Sequence, residues 1–155
     1  MIFLRPSEAI HSKLEVIRST RSDYEKKKRV VVCIEDEKEM IDLVKLILDQ
    51  QGFEVFGAVG GELGLEQITK VSPDLVLLDL MMPGMDGWEV YQKMKASDSM
   101  RHIPVIIVTA KAQSIDKVLG LHIAKVEDYV TKPFGPRELV ESVQKVLAKR
   151  AVTES

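Results

Sequence analysis

The sequence predicts an α/β protein built on a doubly wound, five-stranded parallel sheet, and three observations support this class. From residue 29 onward, short β-branched runs alternate with longer segments of helical period, as in a series of βα units. The runs at 30–34, 75–78 and 105–108 are continuously apolar, which is typical of strands covered on both faces. No internal repeat or low-complexity tract interrupts the alternation.

The predicted elements follow one another along the chain. Strands are predicted near 29–35, 53–57, 74–79, 103–109 and 126–131, and helices near 37–51, 61–71, 87–96, 112–121 and 136–149. The first helix has an apolar face that includes Met40, Val44 and Ile47, and Gly52 follows where a helix is expected to stop. Pro136 suits the first turn of the last helix. We therefore expect a flavodoxin-like (βα)5 sheet of order 2-1-3-4-5, in which the first and third strands are neighbours.

Composition is that of an ordinary single-domain protein. The 155 residues are 45% hydrophobic and 30% charged, and the formal net charge is −2. Residues 1–29 carry eight Lys or Arg against four Asp or Glu, a balance of +4, which leaves −6 for the rest of the chain. An acidic body favours a metal site over a nucleic-acid partner. A single cysteine, Cys33, excludes an internal disulfide and is read as buried filler.

Residues 1–28 lie outside the alternating pattern and are read as a basic N-terminal extension, before a domain at 29–150 and a tail at 151–155. Ser7 is a candidate cap for a helix whose apolar side is Ile10, Leu14 and Ile17. Two interpretations of residues 1–28 stay open: a solvated extension, or a helix that binds a partner or a second copy of the chain. No apolar stretch approaches the roughly 18 residues that span a bilayer, so we expect a cytoplasmic protein that does not bind a membrane. We expect no DNA-binding domain after the last helix and no direct binding to DNA.

Four predicted strands each deliver a charged or hydroxylic residue at the carboxyl end. Glu35 and Asp36 follow the first strand, Asp79 the third, Thr109 the fourth and Lys132 the fifth. Ligands of parallel sheets gather at this edge. Three carboxylates within ~5 Å would repel one another by roughly 3 kcal/mol per pair at an effective dielectric near 20, so the sequence predicts a divalent cation, and hard oxygen ligands favour Mg²⁺. The alternative is that Glu35 and Asp36 only cap the next helix.

This set of side chains suits phosphoryl transfer to Asp79. A carboxylate can attack a phosphoryl group and form an acyl phosphate. Lys132 would contact another phosphoryl oxygen, and Thr109 would supply a small hydroxyl donor that reaches the group after transfer. Taken alone, Thr109 is also explained as a strand-end residue that bonds its own backbone.

The same motifs resemble the receiver domain of two-component response regulators. The resemblance covers about residues 29–149 and rests on Glu35-Asp36, on Asp79 with the Met-Met-Pro-Gly-Met-Asp-Gly stretch at 81–87, on Thr109-Ala110, and on Lys132-Pro133-Phe134. It implies that a histidine kinase or a phosphotransfer protein donates phosphate to Asp79. It also implies that Asp36, Asp79 and the backbone carbonyl of Met81 ligate Mg²⁺, with Glu35 acting through the waters of the metal.

The resemblance further implies a signalling switch, which catalyses only its own aspartyl phosphorylation and dephosphorylation. Tyr129 would turn inward when Thr109 moves, and the Lys132–Pro133 peptide bond would be cis, as proline tolerates. The output face for a downstream protein would lie within 112–149, and a homodimer stays open. The bulkier, charged segment at 121–125 departs from the family pattern and affects the expected shape of this face.

Three other functions share parts of this pattern. A flavin-binding protein of the same architecture needs a hydroxyl- and glycine-rich phosphate cradle after the first strand, where this chain has Glu35-Asp36-Glu37. A phosphatase of the haloacid-dehalogenase type needs a second acid two residues beyond the nucleophile, where this chain has Met81. A receiver-like docking module that works without phosphorylation is the remaining alternative.

Overall fold

The structure, a computed structural model, describes residues 28–110 and 126–154. The predicted helix at 112–121 and the predicted extension, apart from Lys28, lie outside these residues. The described elements are β1 (Val30–Glu35), α1 (Lys38–Asp49), β2 (Glu54–Val59), α2 (Gly61–Val71), β3 (Leu75–Leu78), α3 (Gly87–Ala96), β4 (Val105–Ala110), β5 (Asp128–Lys132) and α4 (Pro136–Glu154). Among them, no helix combines the length and the apolar character that crossing a membrane requires.

The strands form one parallel sheet in the order β2-β1-β3-β4-β5, and the predicted order 2-1-3-4-5 is confirmed. β1 lies between β2 and β3, and its residue Ile34 pairs with Leu78 of β3. All strands therefore end at the same side of the sheet, which we call the carboxyl edge, and begin at the opposite side, the amino edge. This register places the residues after β1 and β3 next to each other.

Two apolar layers hold the sheet between the helices. Alternate residues of β1 point to opposite faces: Val31 and Cys33 pack in the layer under α1 and α4, and Val32 and Ile34 pack in the layer under α2 and α3. Burying each such aliphatic side chain stabilises the fold by roughly 1.5–3 kcal/mol. The predicted continuous burial of β1, β3 and β4 is confirmed, so the carboxyl edge is built on strands that are fixed from both sides.

Two elements end two or more residues later than predicted. β2 continues to Val59 instead of ending at 57. Gly57 still pairs with Cys33 of β1, and the side chain of Ile41 occupies the space that a Cβ at Gly57 would need. The last helix continues through Glu154 instead of ending at 149, so most of the predicted tail at 151–155 is helical. The residues after 147 contain no glycine or proline and include strong helix formers such as alanine, lysine and arginine.

Candidate functional site

Three carboxylates meet at the carboxyl edge of the sheet. Glu35 ends β1, Asp36 follows it, and Asp79 comes directly after β3. The backbone N–H of Asp79 donates to the carbonyl of Ile34 at 3.0 Å, which continues the pairing of β3 with β1 for one more residue. As a result, one oxygen from each of the three carboxylates lies within 4.8 Å of the others.

Lys132 brings a positive charge to this cluster from the end of β5. Its Nζ lies 2.7 Å from Oε2 of Glu35 and 3.5 Å from Oδ2 of Asp79. Both acids are almost fully buried, with Glu35 2% and Asp79 3% exposed, and the Lys132 side chain is 15% exposed. Two buried carboxylates therefore share one ammonium group.

The charges at the site are incompletely balanced. Burial raises the pKa of Glu35 to about 8, the hydrogen bond from Lys132 opposes the rise, and the carboxylates of Asp79 and Asp36 add to it. Burial alone would lower the pKa of Lys132, but its bond to Glu35 and the charges of Asp79 and Glu35 outweigh burial, so that this pKa is raised. Within the described part of the chain, the buried Oε1 of Glu35 has no hydrogen-bond partner. An all-oxygen donor set with an unsatisfied buried oxygen fits a hard divalent cation such as Mg²⁺.

The loop after β3 orients the carboxylate of Asp79. The backbone N–H of Met81 donates to its Oδ1 at 3.0 Å, while Oδ2 faces Lys132. The loop ends at Asp86, whose Oδ1 caps α3 by accepting from the N–H of Glu89 at 2.9 Å. The Asp79 carboxylate is thereby held in one orientation at the mouth of the site.

Gly87 determines how closely α3 approaches this loop. Its N–H donates to the carbonyl of Leu80 at 3.1 Å, and a Cβ at this position would collide with the backbone of Asp79 and Leu80. In the sequence, Gly87 is distinguished only as the last residue of the Met-Met-Pro-Gly-Met-Asp-Gly stretch at 81–87. The close approach has no signal in the sequence beyond the glycine itself, which immediately follows the cap residue of a helix.

The remaining predicted site residues lie at β4, β5 and the loop after β3. Thr109 is buried (2% exposed) near the end of β4, where it pairs with Thr131 of β5. Tyr129 is 48% exposed and pairs with Ile107, two residues before Thr109. Met81 is exposed beside Asp79, and the Lys132–Pro133 peptide bond is cis. The structure thus places Glu35, Asp36, Asp79 and Lys132 in one cluster, and Thr109 at the same edge.

A second polar cluster, which the sequence did not indicate, joins the start of β5 to α4. Asp128 accepts from the hydroxyl of Ser142 at 2.6 Å and from Nζ of Lys145 at 3.0 Å. Burial would raise the pKa of Asp128, but the bonds from Ser142 and Lys145 and one backbone N–H together lower it. The partners come from a helix fourteen or more residues away, so no local sequence pattern marks this cluster.

Comparison with known proteins agrees with this fold. The model of the response regulator receiver domain matches residues 31–144. The N-terminal domain of a response regulator receiver protein from Methanoculleus marisnigri JR1 is 34% identical, with 77% of this chain and 96% of that chain covered and a TM-score of 0.63. The signal receiver domain of a signal transduction histidine kinase from Syntrophus aciditrophicus is 27% identical, with coverages of 78% and 91% and a TM-score of 0.70.

The chemotaxis protein CheY4 of Vibrio cholerae is similar in fold. It is 24% identical, with 77% of this chain and 98% of that chain covered and a TM-score of 0.72. The family match spans well over half of the 155 residues and includes the whole carboxyl edge. The chain therefore belongs to the receiver domain family of two-component response regulators, whose members are signalling switches.

Proposed function

We propose that this receiver accepts a phosphoryl group on Asp79, in a Mg²⁺-dependent reaction with a histidine kinase or a phosphotransfer protein as the donor, and that phosphorylation changes its binding to a downstream protein. One observation carries the proposal: the buried carboxylate of Asp79 lies beside two further acids and 3.5 Å from the ammonium group of Lys132. A nucleophilic oxygen, a cation site and a fixed positive charge are the parts that phosphoryl transfer to a carboxylate needs.

The three carboxylates would hold the metal ion. Glu35, Asp36 and Asp79 provide oxygens within 4.8 Å of one another, and the unsatisfied Oε1 of Glu35 supports a cation there. The backbone carbonyl of Met81 is proposed as a further ligand, as the resemblance implies. A bound Mg²⁺ offsets negative charge on the incoming phosphoryl group.

In the proposed step, an oxygen of the Asp79 carboxylate attacks the phosphorus of a phosphohistidine. An O–P bond forms and the P–N bond breaks, and its electron pair stays on the imidazole nitrogen, which then takes a proton from water. The N–H of Met81 holds Oδ1 in place, so that the carboxylate does not rotate during the attack. Lys132, which now contacts Glu35 and Asp79, would turn its ammonium group to a phosphoryl oxygen.

The switch would follow from the new anion. Thr109 would donate its hydroxyl to the phosphoryl group, and Tyr129, now half exposed, would turn toward the space that Thr109 leaves. Moving a two-state equilibrium from 1:99 to 99:1 needs roughly 5.5 kcal/mol of differential affinity. Two or three charge-assisted hydrogen bonds, at about 1.5–3 kcal/mol each, are of the size required.

The direct test is intact-protein mass spectrometry of the full chain after incubation with Mg²⁺ and acetyl phosphate. We expect one phosphoryl adduct, its absence when EDTA replaces Mg²⁺, and its absence in Asp79→Asn. Asp86→Asn is the matched control, because it is the same substitution in the same loop and asparagine still caps α3. An adduct of equal yield in Asp79→Asn would contradict the assignment of the acceptor. No adduct in the native protein, either with acetyl phosphate or with beryllofluoride, would favour the docking module.

A further inference from the structure

The helix α1 carries two leucines that do not pack in the core. Its buried residues are Ile41, Val44, Ile47 and Leu48. Leu43 and Leu46 are instead 41% and 60% exposed, and because they are three residues apart they are neighbours on the helix surface. We call the exposed surface around them the α1 face, and its residues are Glu39, Asp42, Leu43, Leu46, Asp49 and Gln50.

The α1 face is acidic around the two leucines. On a helix, the neighbours of a side chain stand three and four residues away. At these distances from Leu43 and Leu46, the sequence has three acids and no lysine or arginine. The acids are Glu39, Asp42 and Asp49. None of the ion pairs between described residues involves these three carboxylates. The face therefore combines an apolar pair with negative charge that no lysine or arginine of the described residues offsets.

The α1 face borders a cavity that lies between α1 and α4. The cavity has a volume of about 320 Å³, and its walls include Ile47 and Gln50 at the end of α1 and Val140 of α4. Ile47 lies four residues after Leu43, and Gln50 lies four residues after Leu46, so the cavity adjoins the leucine pair. A helix laid along α1 has room for side chains in this cavity as well as against the leucines.

Residues 7–21, which lie outside the described part of the chain, have the complementary sequence pattern. We call them the N-terminal segment, and the apolar side predicted for it consists of Ile10, Leu14 and Ile17. Three and four residues away from these side chains, the sequence has three lysines or arginines and no acid. These bases are Lys13, Arg18 and Arg21. The two acids of the segment, Glu8 and Glu15, stand at none of these positions. An apolar stripe among bases thus matches an apolar pair among acids.

The N-terminal segment is attached close to the α1 face. It leads through residues 22–28 to Arg29, which immediately precedes β1 at the amino edge. The carbonyl of Arg29 accepts from the N–H of Glu54, and the N–H of Phe53 donates to the carbonyl of Leu48, so Arg29 lies beside the C-terminal end of α1. Seven linking residues span up to roughly 23–25 Å, and the 12 residues of α1 are about 18 Å long. The linking residues are therefore long enough to bring the segment onto the face.

We propose that the N-terminal segment docks as an amphipathic helix on the α1 face of its own chain. Its apolar side covers Leu43 and Leu46, and its three bases lie among the three acids of the face. Because the segment is tethered beside α1, its local concentration at the face is on the order of millimolar, which favours it over a second copy or a separate protein. The docked segment closes the α1 face to other proteins. The proposal does not depend on phosphorylation of Asp79.

Amide NMR spectra and hydrogen exchange of the full chain test the docking. We expect Leu14→Ser to shift the amide signals of Leu43 and Leu46, since it removes an apolar contact from them. Leu46→Ser should in turn speed hydrogen exchange at residues 10–17 by about tenfold or more, because an undocked segment is less protected. Val16→Ser is the matched control, since it removes an aliphatic side chain from the other side of the same predicted helix, and it should leave the signals of α1 unchanged.

Four results would overturn the proposal. Signals of Leu43 and Leu46 that are the same in the native chain and in Leu14→Ser would show that the segment does not lie on the face. Equal exchange rates at residues 10–17 in the native chain and in Leu46→Ser would show the same, and this variant keeps the test decisive if Leu14→Ser does not fold. Equal shifts from Val16→Ser and Leu14→Ser would contradict the predicted apolar side. Shifts that fade on dilution, together with dissociation of a dimer in analytical ultracentrifugation, would place the segment on a second copy instead.

Discussion

Replacing Gly87 with alanine should destabilise the protein and slow phosphorylation of Asp79, because the new methyl group would meet only backbone atoms. A Cβ at Gly87 would lie 2.6 Å from Cα of Leu80 and 2.9 Å from the carbonyl carbon of Asp79, and nearer still to the carbonyl oxygen. A side chain could rotate away from such a contact, but a backbone cannot. The main chain of Asp79 is also tied to β1 through its hydrogen bond to Ile34.

The expected cost is at the upper end of the range for an overpacked site. Inserting a methyl group into a closely packed region costs about 1–3 kcal/mol. Because neither α3 nor the end of β3 can give way without breaking the hydrogen bonds of Gly87 or Asp79, we expect a loss of about 3 kcal/mol in the free energy of unfolding. For a domain of this size, the midpoint of thermal unfolding should fall by roughly 10 °C.

Chemical denaturation of the native chain and the variant measures this loss, and the rate of acetyl phosphate labelling measures the effect on Asp79. Gly135→Ala is the control, because no atom of the described residues lies within 4 Å of the methyl group it would add and the position needs no left-handed backbone. It should change the unfolding free energy by less than about 1 kcal/mol, with stabilisation as the expected sign. A Gly87→Ala protein as stable as Gly135→Ala would refute the packing argument.

Three further predictions concern other parts of the molecule. Asp128→Asn should lower the free energy of unfolding by about 1 kcal/mol at neutral pH. The pKa of the Asp128 carboxyl is lowered below its ordinary value of 3.8, so the ionised group stabilises the fold above that pH and this stabilisation is lost below it. Urea unfolding curves of the native chain and the variant should therefore converge as the pH falls below about 4. Cys33, buried and with its pKa raised by burial to about 12, should react with a maleimide at least about a hundredfold more slowly in the native than in the urea-unfolded chain, and equal rates would contradict its burial. Mg²⁺ at ten times its dissociation constant should stabilise the protein by about 1.4 kcal/mol; thermal scans should show this gain in the control Asp42→Asn but not in Asp36→Asn, and a gain in both would place the cation elsewhere.

The parallel sheet could be predicted from the sequence because its central strands consist almost entirely of apolar residues, which is typical of strands buried on both faces. β1, β3 and β4 are covered on both faces, and each is a continuous apolar run. The residues at which the elements end were harder to predict. β2 continues through Gly57 because its partner strand and Ile41 define that position, and neither influence is local to the sequence around Gly57.

The residues at the carboxyl edge could also be predicted, since the strand ends identify them. Which of these side chains form ion pairs with one another could not be predicted. Lys132 lies closer to Glu35 than to Asp79, and this preference depends on side-chain rotamers and on the end of β5.

Asp128 has a mechanical consequence for the terminal helix. Through Ser142 and Lys145 it fastens the first residue of β5 to the middle of α4, and the last residue of the same short strand is Lys132. A displacement of Lys132 that moved the whole of β5 would therefore also move Asp128, the residue that connects this strand to α4. A neighbouring protein could then sense events at the acidic pocket through the position of α4, without touching the pocket.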